Sequence, residues 1–510
     1  MTQAFKTCFL ILILFPIALL MPHTSSAQEG SWHTSEKIED RPLFTNYFSP
    51  QEFEERRDQV YDEIGSTGIA IIQGAAMPKG YTAFRQNNEF FYLSGIESPD
   101  AYLILDGSTR EATVYLLHRR ERREYGEGKL LSFEDADLVK ELSGIDHVGS
   151  YEMLMEDLRT YNERDEIGVA FTPQTPYEGY RMTRSMAVRH QQDVTENPLD
   201  TRPARYQNFI TELKSVAPDL AIRNLDPILD ELRRIKSEAE IDLIKRSTDL
   251  QAAAIAEAIR STEVGVKAYE LEAAAKYIYQ KYNMQDEAYY ALIHVGPDAY
   301  MNHYHNSIRS AKSGDMLLMD YGGHYHYYSS DLARMWPANG KFNPVQTELY
   351  TFYLQIYEAI LYNIESGLTP QQVMRKAVQE MDVILEETTF SDSLYEQAAR
   401  DFVDGYRRQS ENPEMRLGHG VGMSVHDVGD YTKPIEAGMV FVIEPQFRVP
   451  EERIYIRLED MIIVTEEGVE IFSDYLPRDI ESIENMMQEE GLLQKFPAEM
   501  QGLLDMPKQD

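Results

Sequence analysis

Ionisable side chains interrupt the most hydrophobic stretches of this chain, and that is where chemistry is expected. Met316-Leu317-Leu318-Met319 runs straight into Asp320, and Met439-Val440-Phe441-Val442-Ile443 runs into Glu444. Ile454-Tyr455-Ile456-Arg457-Leu458-Glu459-Asp460 continues into Met461-Ile462-Ile463-Val464. Burying an unpaired carboxylate is costly, so such groups pair or bind a metal. Asp331 follows Asp320 across the aromatic segment Tyr321 to Tyr328, as if on the return strand of a hairpin. His419 stands in Leu417-Gly418-His419-Gly420-Val421-Gly422, ahead of His426-Asp427. Asp320, Asp331, Glu444, Glu459 and His419 form an oxygen-rich donor set with one nitrogen. That composition suits a pair of borderline-hard divalent ions such as manganese, bridged by carboxylates, with zinc second because it favours more nitrogen or sulfur. Strand alternation puts Arg457 and Glu459 on one face, where Arg457 can hold a ligand carboxylate in place.

Each of these features alone has an ordinary explanation. With 85 acidic residues, a pair spaced like Asp320 and Asp331 arises easily by chance. Glu444 before Pro445 could be a strand-end charge, Arg457 with Glu459 an ion pair, and His419 the mark of a tight turn. Gly418-x-Gly420-x-Gly422 imitates a phosphate loop but has the wrong glycine spacing and no clear following helix. Their joint occurrence favours a metal centre. His324 and His326, between the two aspartates, are assigned to a surface hairpin rather than an accessory metal site.

The elements that must position these residues can be sketched from periodicity. In the N-terminal half, Phe53 to Ile64 has helical spacing and Gly68 to Ile72 is a buried strand. Ala101–Leu105 and Ala112–Leu117 flank Asp106-Gly107-Ser108 as a hairpin. Residues 181–205 are assigned to an irregular connection, with a domain boundary near 225–236. Beyond it, Ser237-Glu238-Ala239-Glu240 is a capping box that opens a helix, and a second helix covers Ala268 to Tyr282. Asn343-Pro344 and Thr369-Pro370 each pair a polar cap with proline at the first helical position. Strand-like runs fill 290–336 and 439–465, so helix pair, strands, helix pair, strands forms a crude twofold plan. After Pro477 an acidic helical tail is expected to pack Met486, Met487, Leu492, Leu493 and Phe496 on the body.

Composition limits the partners. The 510 residues carry 49 basic and 85 acidic side chains, a net charge of -36. Nucleic acid and anionic membrane both demand a basic surface and are excluded as partners. At 43% hydrophobic and 11% aromatic residues, the chain is too apolar to be disordered. Residues 1–27 have a cationic Lys6, an apolar Phe9–Leu20 and Ser25-Ser26-Ala27 before Gln28, the pattern of a cleaved secretory signal. The expected location is secreted or periplasmic, without stable membrane insertion after cleavage. Cys8, the single cysteine, falls inside that segment, so the mature chain has no disulfide, thiolate nucleophile or cysteine-based zinc site.

Taken in order, Met319-Asp320-Tyr321-Gly322, Ser330-Asp331-Leu332-Ala333-Arg334, Gly418-His419-Gly420-Val421-Gly422, Ile443-Glu444-Pro445 and Arg457-Leu458-Glu459-Asp460 resemble the five ligand motifs of the pita-bread metallopeptidases. Phe84-Arg85-Gln86-Asn87-Asn88-Glu89-Phe90-Phe91-Tyr92-Leu93-Ser94-Gly95 and Val425-His426-Asp427-Val428-Gly429 resemble the aminopeptidase P and prolidase branch, over residues 36 to about 490. The resemblance implies an α/β (α+β) protein: a creatinase-like N-terminal α/β domain over 36–225, a pita-bread pseudo-twofold catalytic domain over 236–480 and a tail over 481–510.

The same resemblance implies a site and an activity. It assigns Asp320, Asp331 and Glu459 to one metal, and Asp331, His419, Glu444 and Glu459 to the other. The pair would be manganese, with zinc or cobalt as alternatives. Glu444 becomes the proton acceptor and donor beside a shared hydroxide, and His303 and His426 contact the substrate and the developing oxyanion. The implied substrate is a peptide with proline at the second position, and the implied assembly a homodimer or homotetramer. Rival expectations are a prolidase restricted to Xaa-Pro dipeptides and a non-catalytic peptide-binding relative. Three departures fall on the substrate side: Met415 where a histidine is common, Gln446 where glycine is usual, and Arg448 where a tyrosine is common.

Overall fold

Near-continuous apolar runs, buried on both faces, build the first sheet in a computed structural model that describes residues 44–80, 82–175, 183–199 and 202–495. Strands Tyr102–Asp106 and Glu111–Leu116 pair antiparallel, and Asp106 Oδ1 closes their turn by accepting from Ser108 N at 2.8 Å. Gly68–Gln73 pairs antiparallel with Tyr102–Asp106 and parallel with Val169–Thr172. His147–Ser150 and Ala221–Asn224 complete a six-stranded mixed sheet. Helix Pro50–Ile64 buries Phe53, Val60 and Ile64 beneath it. Part of the expected irregular connection is instead a helix, Arg184–Glu196, started by Thr183 accepting from Met186 N. No proline falls between Thr183 and Pro198 to break it. Its burial of Ala187 alone explains why hydrophobic periodicity did not reveal it. The secretory-signal assignment and Phe496 lie outside the described residues.

The second half follows the twofold plan. Ser237 and Glu240 form the anticipated capping box, with Ser237 N donating to Glu240 Oε2 at 3.0 Å and Glu240 N to Ser237 Oγ at 3.3 Å. They open helix Glu238–Arg260, which is followed by Ala268–Lys281. The second helix set is Pro344–Leu361, Pro370–Glu387 and Ser393–Gln409; the first two start at the predicted caps, and the third was not foreseen. Helix Ile480–Met486 follows Pro477, and Met486, Met487 and Leu493 pack on the core as expected. Among the described residues no helix is long and apolar enough to cross a membrane.

Two sheets lie between these helices, and their register brings the chemistry together. One has the order Leu332–Pro337, Met316–Tyr321, Leu292–Val295; the other His419–Gly420, Val440–Ile443, Asp460–Thr465, Gly468–Ile471. Ala333 sits opposite Asp320 in the first sheet. In the second, Ile443 sits opposite Asp460 and His419 opposite Val442. A single bridge joins the sheets, with Ala333 N donating to Glu459 O at 3.2 Å and Glu459 N to Ala333 O at 3.1 Å. Gly418 must be glycine because a Cβ there would run into the Val442 carbonyl of the neighbouring strand. Asp460 is a structural charge: fully buried, it pairs with Arg334 and accepts from Tyr357 Oη and Arg478 Nη1 at 2.8 and 3.1 Å.

The Gly323–Tyr325/Tyr328–Ser329 hairpin exists, but it is not a surface feature. The Phe84–Gly95 motif covers it. Arg85 Nε donates to the buried His324 Nε2 at 3.1 Å, Gln86 N donates to Tyr327 Oη at 2.8 Å, and Phe91 stacks on Tyr327 at 3.6 Å. Burial, with Arg85 and His326 nearby, holds His324 well below the ordinary imidazole pKa, so it stays neutral. The sequence distance between motif and hairpin hid this contact.

Candidate active site

Five of the expected side chains converge where the two sheets meet. His419 Nε2 lies 3.6 Å from Asp331 Oδ2 and 3.9 Å from both Glu444 Oε1 and Glu459 Oε1. Arg457 holds the other edge: its guanidinium contacts Asp320 Oδ2, and lies 3.0 Å from Glu444 Oε2 and 3.2 Å from Glu459 Oε2. Arg457 and Glu459 thus face the same side, as strand alternation predicts. Tyr289, which no motif signalled, donates to Asp320 Oδ1 at 2.7 Å and also reaches Asp331 Oδ1. It precedes the strands and forms part of no charged pattern, so only the tertiary structure reveals it.

Three carboxylates therefore share one guanidinium, and Asp331 completes the cluster beside Tyr289 and His419. Burial first, and the neighbouring carboxylates second, push Asp331 and Glu459 well above the ordinary carboxylate range. Burial pushes His419 down, favouring the neutral imidazole that ligates metals. Glu459 Oε1 is buried with no hydrogen-bond donor. Asp331, His419 and Glu459 each offer a ligand atom, all within 4.8 Å of one another, and no other such group occurs among the described residues. An orphaned carboxylate oxygen, crowded negative charge and a neutral imidazole fit divalent cations. His324 and His326 form no second group of this kind.

The flanking histidines are close by. His426 stacks on His419 with ring centroids 3.8 Å apart. Burial, then His419, His303 and Arg457, lower its pKa to about 3, so it is a neutral donor at physiological pH. His303 is exposed on the turn after Gly296–Tyr300, within electrostatic reach of His426. That turn is anchored by a residue the sequence did not flag: buried His294 Nε2 donates to the Tyr304 carbonyl at 2.7 Å.

Residues 242–466 match the family described as Metallopeptidase family M24, and residues 53–169 match the aminopeptidase P N-terminal domain. The second half of this chain is thus similar to metallopeptidase family M24. Its architecture is the family's pita-bread fold behind an aminopeptidase P-type N-terminal domain. The Xaa-Pro aminopeptidase of Escherichia coli is 27% identical over 464 residues, spanning 86% of this chain and 98% of that protein. The mitochondrial intermediate cleaving peptidase 55 of Arabidopsis thaliana is 26% identical over 455 residues, spanning 86% and 83%. The solved structure of Escherichia coli aminopeptidase P with the inhibitor Pro-Leu superposes with a TM-score of 0.67 at 25% identity, covering 86% of this chain and 98% of that one.

His294 should matter without touching substrate. A His294→Phe variant leaves the part-buried Tyr304 carbonyl without its donor, a cost of up to about 1–3 kcal/mol, and frees the turn that carries His303. We expect kcat/KM to fall roughly tenfold or more, with metal content unchanged by elemental analysis.

Proposed function

We propose that the chain is a metal-dependent aminopeptidase that removes the first residue from peptides whose second residue is proline. The observation that carries this reading is the convergence of Asp320, Asp331, His419, Glu444 and Glu459 around orphaned Glu459 Oε1, framed by Arg457 and His426. Those five residues would hold two divalent ions, manganese by the oxygen-rich donor set, supplying Lewis acidity and a water acidic enough to lose its proton near neutral pH.

The remaining work falls to the chain itself. Glu444 is half-buried, with Oε2 held 3.0 Å from Arg457 and Oε1 turned toward His419. It takes the proton of the attacking water and delivers it to the departing nitrogen. That delivery is essential because a bond to proline has no N–H and its nitrogen must gain a proton to leave as an amine. Neutral His426, with His303 from the facing turn, donates toward the oxyanion that develops on the scissile carbonyl. The carboxylate cluster favours a free α-amino group nearby, which restricts cleavage to the first residue.

Export belongs to the same proposal, supported by the signal-like composition of residues 1–27; N-terminal sequencing of protein from an export-competent host should begin at Gln28. Assembly as a dimer or tetramer, implied by the resemblance, is read by sedimentation. The activity is tested on the manganese-reloaded protein with Ala-Pro-Ala and Ala-Pro side by side. Release of alanine from the tripeptide is expected; hydrolysis of the dipeptide alone would make the enzyme a prolidase instead.

A further inference from the structure

Two of the three substrate-side departures, Gln446 and Arg448, share a location, while Met415 is buried in the core. From Glu444 to Val449 burial alternates: Glu444, Gln446 and Arg448 are half-exposed, while Pro445, Phe447 and Val449 are buried. A period of two puts the half-exposed set on one side of the chain. That side lines a cavity of about 500 Å³ closed by helix Ser393–Gln409, which contributes Asp401, Phe402 and Tyr406, and by Arg416 beyond the helix. Glu444 belongs both to this cavity and to the carboxylate cluster, so the cavity opens directly onto the atoms that act on the scissile bond.

Arg448 is fixed there. Its Nη1 donates to the Tyr300 carbonyl at 3.2 Å, its Nη2 to Gln446 Oε1 at 3.1 Å, and its guanidinium lies 4.5 Å from the centroid of Tyr455. These contacts orient the fork and leave N–H donors unused out of the five a guanidinium carries. Among the described residues, no carboxylate comes within 4 Å of Arg448 or of Arg416, although this protein carries 85 acidic side chains. The buried Tyr455 hydroxyl, opposite Arg448 in the strand pair, also has no hydrogen-bond partner. A preorientated guanidinium without a counter-ion, beside an unsatisfied hydroxyl, is suited to receive a carboxylate in two parallel hydrogen bonds.

We propose that Arg448, held by Gln446 and Tyr300 and assisted by Arg416, recognises a carboxylate on the leaving segment of the substrate and thereby sets the enzyme's preference. This rests on the aminopeptidase reading above and deepens it. The backbone from Glu444 to Arg448 spans at most roughly 13 Å at 3.3 Å per residue, so the carboxylate lies within the first few residues after the scissile bond. It is either the terminal carboxylate of a short peptide or an acidic side chain just beyond proline.

The test compares kcat/KM of the manganese-loaded enzyme on Ala-Pro-Ala, its C-terminal amide and Ala-Pro-Asp amide. Calorimetric binding of Pro-Leu and Pro-Leu amide runs in parallel and needs no turnover. The free acid is expected to exceed its amide by about tenfold or more, the range of a charge-assisted hydrogen bond. Recovery by Ala-Pro-Asp amide would assign the recognised group to an acidic side chain; failure to recover would assign it to the terminus. In Arg448→Gln the acid-to-amide ratio should collapse toward one, and Arg448→Lys should restore part of it. Equal rates and equal binding for acid and amide in the unaltered enzyme would overturn the proposal, as would a ratio that survives Arg448→Gln. Selective Pro-Leu binding without hydrolysis of any peptide would uphold it and defeat the aminopeptidase reading; hydrolysis without discrimination would do the reverse.

Discussion

Glu444→Gln is expected to lower kcat on Ala-Pro-Ala by roughly 10³-fold, within the 10²–10⁴ range typical of a positioned general acid–base group. The amide keeps the size of the side chain and a carbonyl oxygen, but it cannot accept and return a proton. Arg457 would still engage Asp320 and Glu459, so the fold and most of the ligand set persist. Rates measured at saturating manganese, with melting temperature recorded on the same sample, separate the chemical loss from a folding defect. A variant that retains more than a tenth of the activity would remove Glu444 from the proton-transfer role.

A second large effect is expected beside His426. Asp427 is buried with Arg233 Nη2 at 2.5 Å and Lys236 Nζ at 3.1 Å, all three side chains about 1% exposed. Arg233 also reaches Glu89 Oε1 at 3.0 Å, tying the Phe84–Gly95 motif to the loop that carries His426. Asp427→Ala leaves two buried cations without their shared carboxylate and should cost about 3–5 kcal/mol of stability. The pH dependence has a definite sign. Burial alone would raise the Asp427 carboxyl, but Arg233 and Lys236 together hold it below the ordinary range. A depressed folded pKa contributes stability that is fully present above the unfolded value, ~3.9, and is lost as pH falls through the lower folded value. The difference in stability between the unaltered chain and Asp427→Ala should therefore be constant near neutrality and shrink only in acid below about pH 4. A difference already shrinking at pH 6 would contradict this account.

Much of the site was legible because its residues break a local rule. Asp320, Glu444 and Glu459 stand inside apolar runs where charge is costly, and that conflict needs no knowledge of the fold. His419 was legible from its glycine setting, since Gly418 lets the neighbouring strand, and Gly420 the Tyr431 ring, approach more closely than any side chain allows. Helix starts at Ser237, Asn343 and Thr369 were equally plain, because capping is local chemistry. The contributions of Tyr289 and His294 were hidden: Tyr289 acts through hydrogen bonds to two residues distant in sequence and His294 through one to a turn, and neither alters composition or period. His324 was misassigned for the same reason, because the motif that buries it lies some 239 positions away. Helix Arg184–Glu196 was missed because it buries almost nothing, so the signal that reveals amphipathic helices is absent from it.

The central claim is that the carboxylate–histidine cluster acts through bound divalent ions. One titration tests it most directly: the chelator-stripped protein receives manganese in steps, with binding followed by calorimetry and alanine release from Ala-Pro-Ala followed in the same samples. The account predicts no activity at the start, saturation at two ions per chain, and activity rising with occupancy. Full activity in the stripped protein, or binding at the cluster that never brings activity, would contradict it.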